Sequence, residues 1–415
     1  MPRHSLRAAP RRRDAVALVC AGGGVTGAVY EIGCLRALEE LLDRSVLDMD
    51  LFVGVSGGAF VTSLLAAGVS PRDLYAEVTG SRSRLGASAG SLFRLGVADL
   101  ARRWASAPRA VFDIVSDAVS RRRSLADVAW SLFELLPAGI LDNSGVADFL
   151  AAIFAERGVR DRFDALRREL LVVAVDLDRG EAVPFGARGR RDVPVSRAVQ
   201  ASTALPGLYR PVRIGRREYV DGGVKKTAHI NLAIQRGARL VVCVNPIVPI
   251  LNDGHRRPLT GPLSDKGIAY VLDQAFRIML HGRMQYGLER YAREHPEVDI
   301  LLVEPMRHEM QMFRYNIMRY GVRRVIAEHG YRSVVLSFRA NKARYQRLLR
   351  RHGIGMKDPF AVPETPVRSS RPSTPEQRLD LSLDRLDAAL AGTKGRRRRT
   401  VSRTRRSAAA PAGRR

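Results

Sequence analysis

The sequence predicts an α/β fold: a mostly parallel central sheet with helices on both faces, three layers in all. Two observations carry this. Short runs of buried apolar character alternate with amphipathic stretches of helical period, the pattern of strand–helix–strand units. Two glycine-rich turns, A-G-G-G-V-T-G at 21–27 and G-V-S-G-G at 54–58, each follow an apolar run and open a helical stretch. In such sheets, sites form outside the carboxyl ends of the strands, so both turns fall where chemistry is expected.

A-V-A-L-V-C at 15–20 reads as the first strand. The helix after the glycine loop is expected from about Ala28 to Leu42, with apolar spacing at Ile32, Leu35, Leu38 and Leu42. D-L-F-V-G-V reads as a second strand running into Ser56, and the stretch after it as a helix ended by Gly68. Residues 80–165 read as a helical cap insertion. It carries amphipathic segments at 91–100, 104–119 and 124–136 and both tryptophans, Trp104 and Trp130.

Strand character returns in L-L-V-V-A-V-D-L-D at 170–178, with G-E-A-V-P-F-G as a hairpin partner. A short helix, V-S-R-A-V-Q-A-S, precedes a strand pair in P-V-R-I-G-R-R-E-Y-V, which leads to D-G-G at 221–223. A helix over 230–236, a buried strand in A-R-L-V-V-C-V, a long helix over 264–293 and a strand in V-D-I-L-L-V complete the domain. A mainly helical extension follows over about 305–350.

The expected organisation is a disordered basic arm over 1–13, one domain over 14–355, and 356–415 outside it. That last part divides into a Pro/Ser linker, a short helix with Leu379, Leu383, Leu386 and Leu390 on one stripe, and an Arg-rich tail.

The formal net charge is +27, concentrated partly in Arg11 to Arg13 and Arg396 to Arg399. Such a balance points to a solvated basic surface or to an anionic partner. The tail has no aromatic residues interleaved with its arginines, which disfavours single-stranded nucleic acid. Peripheral contact with anionic lipid is favoured over nucleic acid, with the tryptophans of the insertion at headgroup level. The plain alternatives are an insertion that covers a core with packed tryptophans and a nonspecific electrostatic tail. Cys20, Cys34 and Cys243 form neither a metal-ligand spacing nor a disulfide framework, as expected in a reducing compartment. The N-terminus imitates a secretory signal, but cleavage after the short apolar run at 15–21 would remove the first strand. No apolar run is long enough to span a bilayer. The chain is therefore expected in the cytoplasm, peripheral to the membrane.

Three short motifs carry chemistry. G-V-S-G-G fits G-x-S-x-G, with a strand entering and a helix leaving, the frame of a nucleophile elbow at Ser56. Its bland alternative is a helix N-cap serine. Gly22, Gly24 and Gly27 also satisfy G-x-G-x-x-G, with Asp43 or Asp48 placed as the acid of a dinucleotide site. The same loop serves as an oxyanion hole if its N–H groups face an acyl intermediate. The exposed serine at the next strand end favours the oxyanion reading. D-G-G at 221–223 is either a simple turn or the position of a carboxylate base that needs no histidine.

In this order the three motifs resemble those of the patatin-like phospholipases: G-G-G-x-[RK]-G, then G-x-S-x-G, then D-G-[GA]. The stretches A-V-D-L-D-R-G-E-A-V-P-F-G and A-S-T-A-L-P-G-L-Y-R-P-V look alike too, and the resemblance covers roughly Ala15 to Pro246. It implies a lipid acyl hydrolase with a Ser–Asp dyad, no catalytic histidine, no metal and no cofactor. Ser56 would attack the ester carbonyl and Asp221 would take its proton. N–H groups across Gly22, Gly23, Gly24, Val25, Thr26 and Gly27 would hold the oxyanion, with that of Gly57 assisting. Asp176 matches a recurrent acidic position and is given no catalytic role. Thr26 departs from the pattern, which places Arg or Lys there. A catalytically weak membrane-associated scaffold on the same fold is the alternative. A histidine-dependent esterase would have to use His229, which reads as a helix-start or surface residue.

Overall fold

The computed structural model describes residues 14–79, 94–95, 138–252, 261–305 and 320–365. In chain order these form β1 (Ala15–Cys20), α1 (Gly24–Leu41), β2 (Leu51–Val55), α2 (Gly57–Ala66) and α3 (Pro71–Thr79). Next come β3 (Arg94–Leu95), β4 (Gly139–Asp142), α4 (Ser144–Glu156), β5 (Glu169–Asp176), β6 (Glu181–Phe185) and α5 (Val195–Ser202). Then follow β7 (Gly207–Tyr209), β8 (Val212–Ile214), β9 (Arg217–Asp221), α6 (Ile230–Gln235) and β10 (Ala238–Val244). The last described elements are α7 (Ile268–Glu294), β11 (Asp299–Val303), α8 (Tyr320–Ala340) and α9 (Lys342–Arg350).

The main sheet has the order β11-β10-β1-β2-β5-β9-β8, with β6 also paired to β5. From β11 to β5 all pairs are parallel. β6, β8 and β9 add an antiparallel side. The parallel strands are continuous apolar runs because both their faces are covered. Along β1, Val16, Leu18 and Cys20 enter one core with Leu35, Phe52, Tyr331 and Phe338. Ala17 and Val19 enter the other with Val53, Ile230, Met284 and Tyr291. This period of two splits one strand between two layers of helices. β3, β4 and β7 make a small second sheet.

Several expectations are corrected. α1 begins at Gly24, inside the glycine loop, not at Ala28. Glycine is a poor helix former, but tertiary packing supplies what propensity lacks. The segment over 91–100 is not wholly helical: Arg94–Leu95 is β3, paired antiparallel with β4. The end of the insertion belongs to the main fold, since Leu150, Ile153 and Phe154 of α4 lie in the core. The long helix starts at Ile268 after Gly267, whose φ of 93° breaks it from a short turn over Leu263–Lys266. The basic arm, the segments over 104–119 and 124–136 with Trp104 and Trp130, residues 306–319, the Leu379–Leu390 stripe and the Arg-rich tail lie outside the described residues.

α1 and α8 meet backbone to backbone. A Cβ on Gly33 would overlap the Ala327 carbonyl, and one on Gly330 the Tyr30 carbonyl. The Cys34 Sγ–H donates to the Gly330 carbonyl at 3.3 Å across this contact. Gly33→Leu should therefore force the helices apart and lower stability by about 2–3 kcal/mol. A fall in the urea midpoint checks this, and an unchanged midpoint would refute close approach here.

Candidate active site

The chain leaves β2 at Val55 and reverses at Ser56 into α2. Ser56 has φ 52° and ψ −124°. Apart from Asp14, it is the one non-glycine residue with positive φ among the described residues. Such a conformation costs on the order of 1–3 kcal/mol and persists only where its surroundings impose it. Here the Ser56 N–H donates to Ser202 Oγ at 2.9 Å, and the Ser202 hydroxyl donates to the Val173 carbonyl at 2.6 Å. The Ser56 carbonyl accepts from the N–H groups of Ala59 and Phe60. Gly58 sits so close to the Cys20 and Ala21 carbonyls that any side chain there would overlap them. The elbow is thus fastened to β5 through Ser202 and pressed onto the end of β1.

Strand register delivers the carboxylate. Val55 pairs with Val173 of β5, and Asp221 pairs with the next residue, Ala174, on the same side of the strand, the other side being taken by β6. Ser56, one residue beyond Val55, therefore flanks β5 at the level of Asp221. The Ser56 hydroxyl stands beside the Asp221 carboxylate, close enough to pull its pKa down. Asp221 Oδ1 also accepts from the Gly223 N–H at 2.7 Å, and the Asp221 N–H donates to the Ala204 carbonyl at 2.9 Å. Both side chains are buried, Ser56 at 6% exposure and Asp221 at 3%. Burial raises the Asp221 pKa to about 6, against the opposing pull of the Ser56 hydroxyl and the Gly223 N–H. A carboxylate poised there can exchange a proton near neutrality.

The glycine loop lies against this pair. A Cβ on Gly22 would stand 3.5 Å from Ser56 Cβ. The Gly22 N–H is engaged by the Thr227 carbonyl at 3.0 Å, and the Gly27 N–H closes the first turn onto the Gly23 carbonyl at 2.8 Å. Gly24, Val25 and Thr26 are the first three residues of α1, where N–H groups have no intrahelical acceptor. Gly57 holds the same place in α2, and its α-carbon lies against the Gly24 carbonyl. Two helix N-termini therefore converge beside Ser56, and both favour negative charge there. Thr26 is half-buried and brings no cation to this turn.

His229 is not at the surface. It is the N-cap of α6, 2% exposed, and hydrogen-bonded to the Gly222 backbone. Burial, with Lys226 nearby, lowers its pKa to about 4, so the ring is neutral at ordinary pH. Its polar neighbour is the turn after Asp221, not the Asp221 carboxylate or Ser56, and its Nε2 is buried with no hydrogen-bond partner among the described residues. Asp176 receives Arg217 Nη1 at 3.0 Å and the Arg179 N–H at 3.2 Å, closing the β5–β6 corner. Ser202 is the residue whose part the motifs did not disclose. It lies in the quoted A-S-T-A-L-P-G stretch, but nothing local marks its hydroxyl as the clasp of the elbow.

The fold and site define an α/β protein with a serine elbow and a carboxylate partner at one end of a mostly parallel sheet. A family model described as "Patatin-like phospholipase" matches residues 18–234, slightly more than half of the chain. The chain belongs to the patatin-like phospholipase family, and that membership supports lipid hydrolase activity. It is similar to YqhO, an uncharacterized protein of Bacillus subtilis (strain 168), at 24% identity over 239 residues, covering 54% of this chain and 69% of that one. Similar solved structures include VipD of Legionella pneumophila, with a TM-score of 0.36, 17% identity and coverage of 79% and 67% of the two chains. Human GIVD cytosolic phospholipase A2 in complex with methyl gamma-linolenyl fluorophosphonate has a TM-score of 0.33 at 14% identity, with coverage of 82% and 59%.

Because the folded pKa of Asp221 lies above its ordinary 3.8, ionising it works against the fold. The penalty is absent below about pH 3.8, grows as pH rises, and is complete above about pH 6, reaching ~3 kcal/mol. Asp221→Asn should raise stability at pH 8 by about 1–3 kcal/mol and change it little at pH 4. Urea midpoints at the two pH values measure this, and an equal shift at both would contradict the ionised-carboxylate origin.

Proposed function

We propose that the chain is a lipid acyl hydrolase of the phospholipase A type, cleaving carboxylic esters through an acyl-enzyme on Ser56. The observation that carries this reading is the placement of Ser56, held in a strained elbow, beside the buried Asp221 carboxylate at neighbouring positions along β5. Ser56 Oγ bonds to the ester carbonyl carbon while its proton passes to Asp221. The carbonyl oxygen becomes the oxyanion and is received by free N–H groups of the glycine loop from Gly23 to Thr26, together with that of Gly57. Gly22 and Gly27, whose N–H groups are engaged elsewhere, shape the loop rather than donate. Collapse breaks the carbon–oxygen bond, and the Asp221 proton leaves with the alcohol. Water then attacks the acyl-enzyme, giving a proton to Asp221. Ser56 recovers that proton as the fatty acid departs.

The neutral, backbone-bonded His229 fits a dyad better than a histidine-dependent triad. The net charge of +27 supports peripheral contact with an anionic membrane. Three buried, free cysteines suit a reducing, cytoplasmic setting.

Fatty-acid release from mixed anionic phospholipid vesicles tests the reading. Wild type should release fatty acid, and Ser56→Ala and Asp221→Asn should each lower the rate at least ~10³-fold. Release that survives Ser56→Ala would sink the mechanism. No release by wild type that still binds vesicles would favour a membrane scaffold on this fold.

The base must be ionised to act, so kcat/KM should fall as pH drops through about 6. A pH profile on a soluble ester reads this limb. A flat profile between pH 5 and 8, with the fold intact, would exclude Asp221 as the base.

A further inference from the structure

α7 is apolar on two opposite faces. Leu280, Met284 and Tyr291 turn inward and are buried, the last two in the core beneath the sheet. On the other side Ile268, Leu272, Ala275, Met279, Gly282 and Tyr286 follow one another at spacings of three and four residues, a single line along the helix. All six are exposed, with Ile268 at 77%, Leu272 at 62%, Met279 at 57% and Tyr286 at 65%. No described element covers this line. An apolar strip of this length on a surface marks an interaction site.

The order of residues along the line identifies the occupant. Ile268 to Met279 is apolar, Tyr286 follows, and the line continues through Arg290 and Arg293, both exposed. Apolar, then aromatic, then cationic is the order of chemistry met on passing outward from acyl chains through the headgroup boundary to the phosphates. Arg290 also pairs with Glu294, and Glu289 is the acid beside the two arginines. A protein partner has no reason to require this gradient.

The line also lies by the catalytic turn. Arg283 Nη1 of α7 donates to the Val224 carbonyl at 3.3 Å, and Thr227 Oγ1 donates to the Leu280 carbonyl at 3.1 Å. Val224, three residues after Asp221, is itself exposed. So are Leu205 and Leu208, in the segment whose Ala204 carbonyl holds the Asp221 N–H.

We propose that the N-terminal half of α7 is the element that docks this chain on an anionic lipid bilayer. Its Ile268–Met279 line enters the acyl boundary, Tyr286 lies among the headgroups, and Arg290 and Arg293 meet the phosphates. The helix enters the interface at a slant, N-terminal end deepest, and does not cross the bilayer, in keeping with the fact that no described helix is long and apolar enough to span a membrane. The proposal deepens the lipid-hydrolase reading, on which it rests, by naming the surface that brings the Asp221 turn to its substrate.

The test uses the full chain in the Ser56→Ala form, so that lipid composition stays constant, and sedimentation with vesicles of phosphatidylcholine alone or mixed with phosphatidylglycerol. Leu272→Glu combined with Met279→Glu should weaken vesicle binding at least ~10-fold. With Ser56 restored, the same pair should retain turnover of a soluble short-chain ester, which shows the fold is intact. Arg290→Gln with Arg293→Gln should remove ~10-fold or more of the preference for anionic vesicles. Vesicle binding unchanged by the glutamate pair overturns the proposal. So does a wild-type dimer that the glutamate pair converts to monomer while vesicle binding persists, since the face would then belong to a second copy. If wild type turns over no ester at all, the hydrolase reading fails by itself and the vesicle comparison still decides the docking surface.

Discussion

The backbone conformation at Ser56 is the constraint on which the other parts of the site depend. A serine with positive φ between a buried strand and a buried helix does not persist by local preference. It is held because Ser202 bridges its N–H to the Val173 carbonyl and because Gly58 allows α2 to press on the carbonyls that end β1. The same compression brings the first turn of α2 against the first turn of α1, where Gly57 meets the Gly24 carbonyl. One strained residue thus fixes the direction of a hydroxyl and the convergence of two helix N-termini. None of these contacts is independent of the parallel order β1-β2-β5, which sets the strand ends side by side.

A second consequence follows from burial. Asp221 sits opposite Ala174 on a strand that runs antiparallel to β5, so its carboxylate approaches Ser56 from inside the sheet rather than from a solvent-exposed loop. Desolvation lifts its pKa to about 6 and gives a carboxylate the proton affinity usually supplied by an imidazole. The His229 ring is drawn the other way by the same burial, to about 4, and its bond goes to the Gly222 backbone. Two titratable groups eight residues apart are pushed toward opposite ends of the working pH range. In the proposed reaction the carboxylate is the group suited to act as base, while the imidazole stays neutral beside the turn.

Much of this was legible in the sequence, for reasons that differ from element to element. The runs at Ala15–Cys20, Leu51–Val55 and Ala238–Val244 read as strands because covering both faces demands unbroken apolar character. Ser56 and Asp221 stood out because tight crossings leave glycine as the residue that fits. The start of α1 was not legible, since three glycines carry a weak helix preference and only their packing against Pro246 and Gly57 decides their state. Arg94–Leu95 was read with an amphipathic helix because its partners in β4 lie more than forty residues away, beyond any local pattern. Ser202 was hidden for the same reason. Its hydroxyl meets Ser56, 146 residues distant, and nothing in its own neighbourhood requires that contact.

The two faces of α7 show how two apolar stripes on one helix leave its orientation unreadable from the sequence. A helix with one apolar stripe announces its orientation; a helix with two opposite stripes looks like a uniformly buried one. Here the inner stripe of Leu280, Met284 and Tyr291 is taken up by the protein. The outer stripe is left beside the turn that carries Asp221, with the Arg283 guanidinium joining α7 to the Val224 carbonyl. The inner stripe therefore fixes where the outer one stands. Because the Thr227 hydroxyl bonds the Leu280 carbonyl while the Thr227 carbonyl takes the Gly22 N–H, α7 and the glycine loop share one residue as an anchor. Any force on the exposed face of the helix is delivered one residue away from the backbone that frames Ser56. The exposed face of α7 and the glycine loop beside Ser56 are thus tied through Thr227, which under the proposed function would couple a lipid-facing surface to the site.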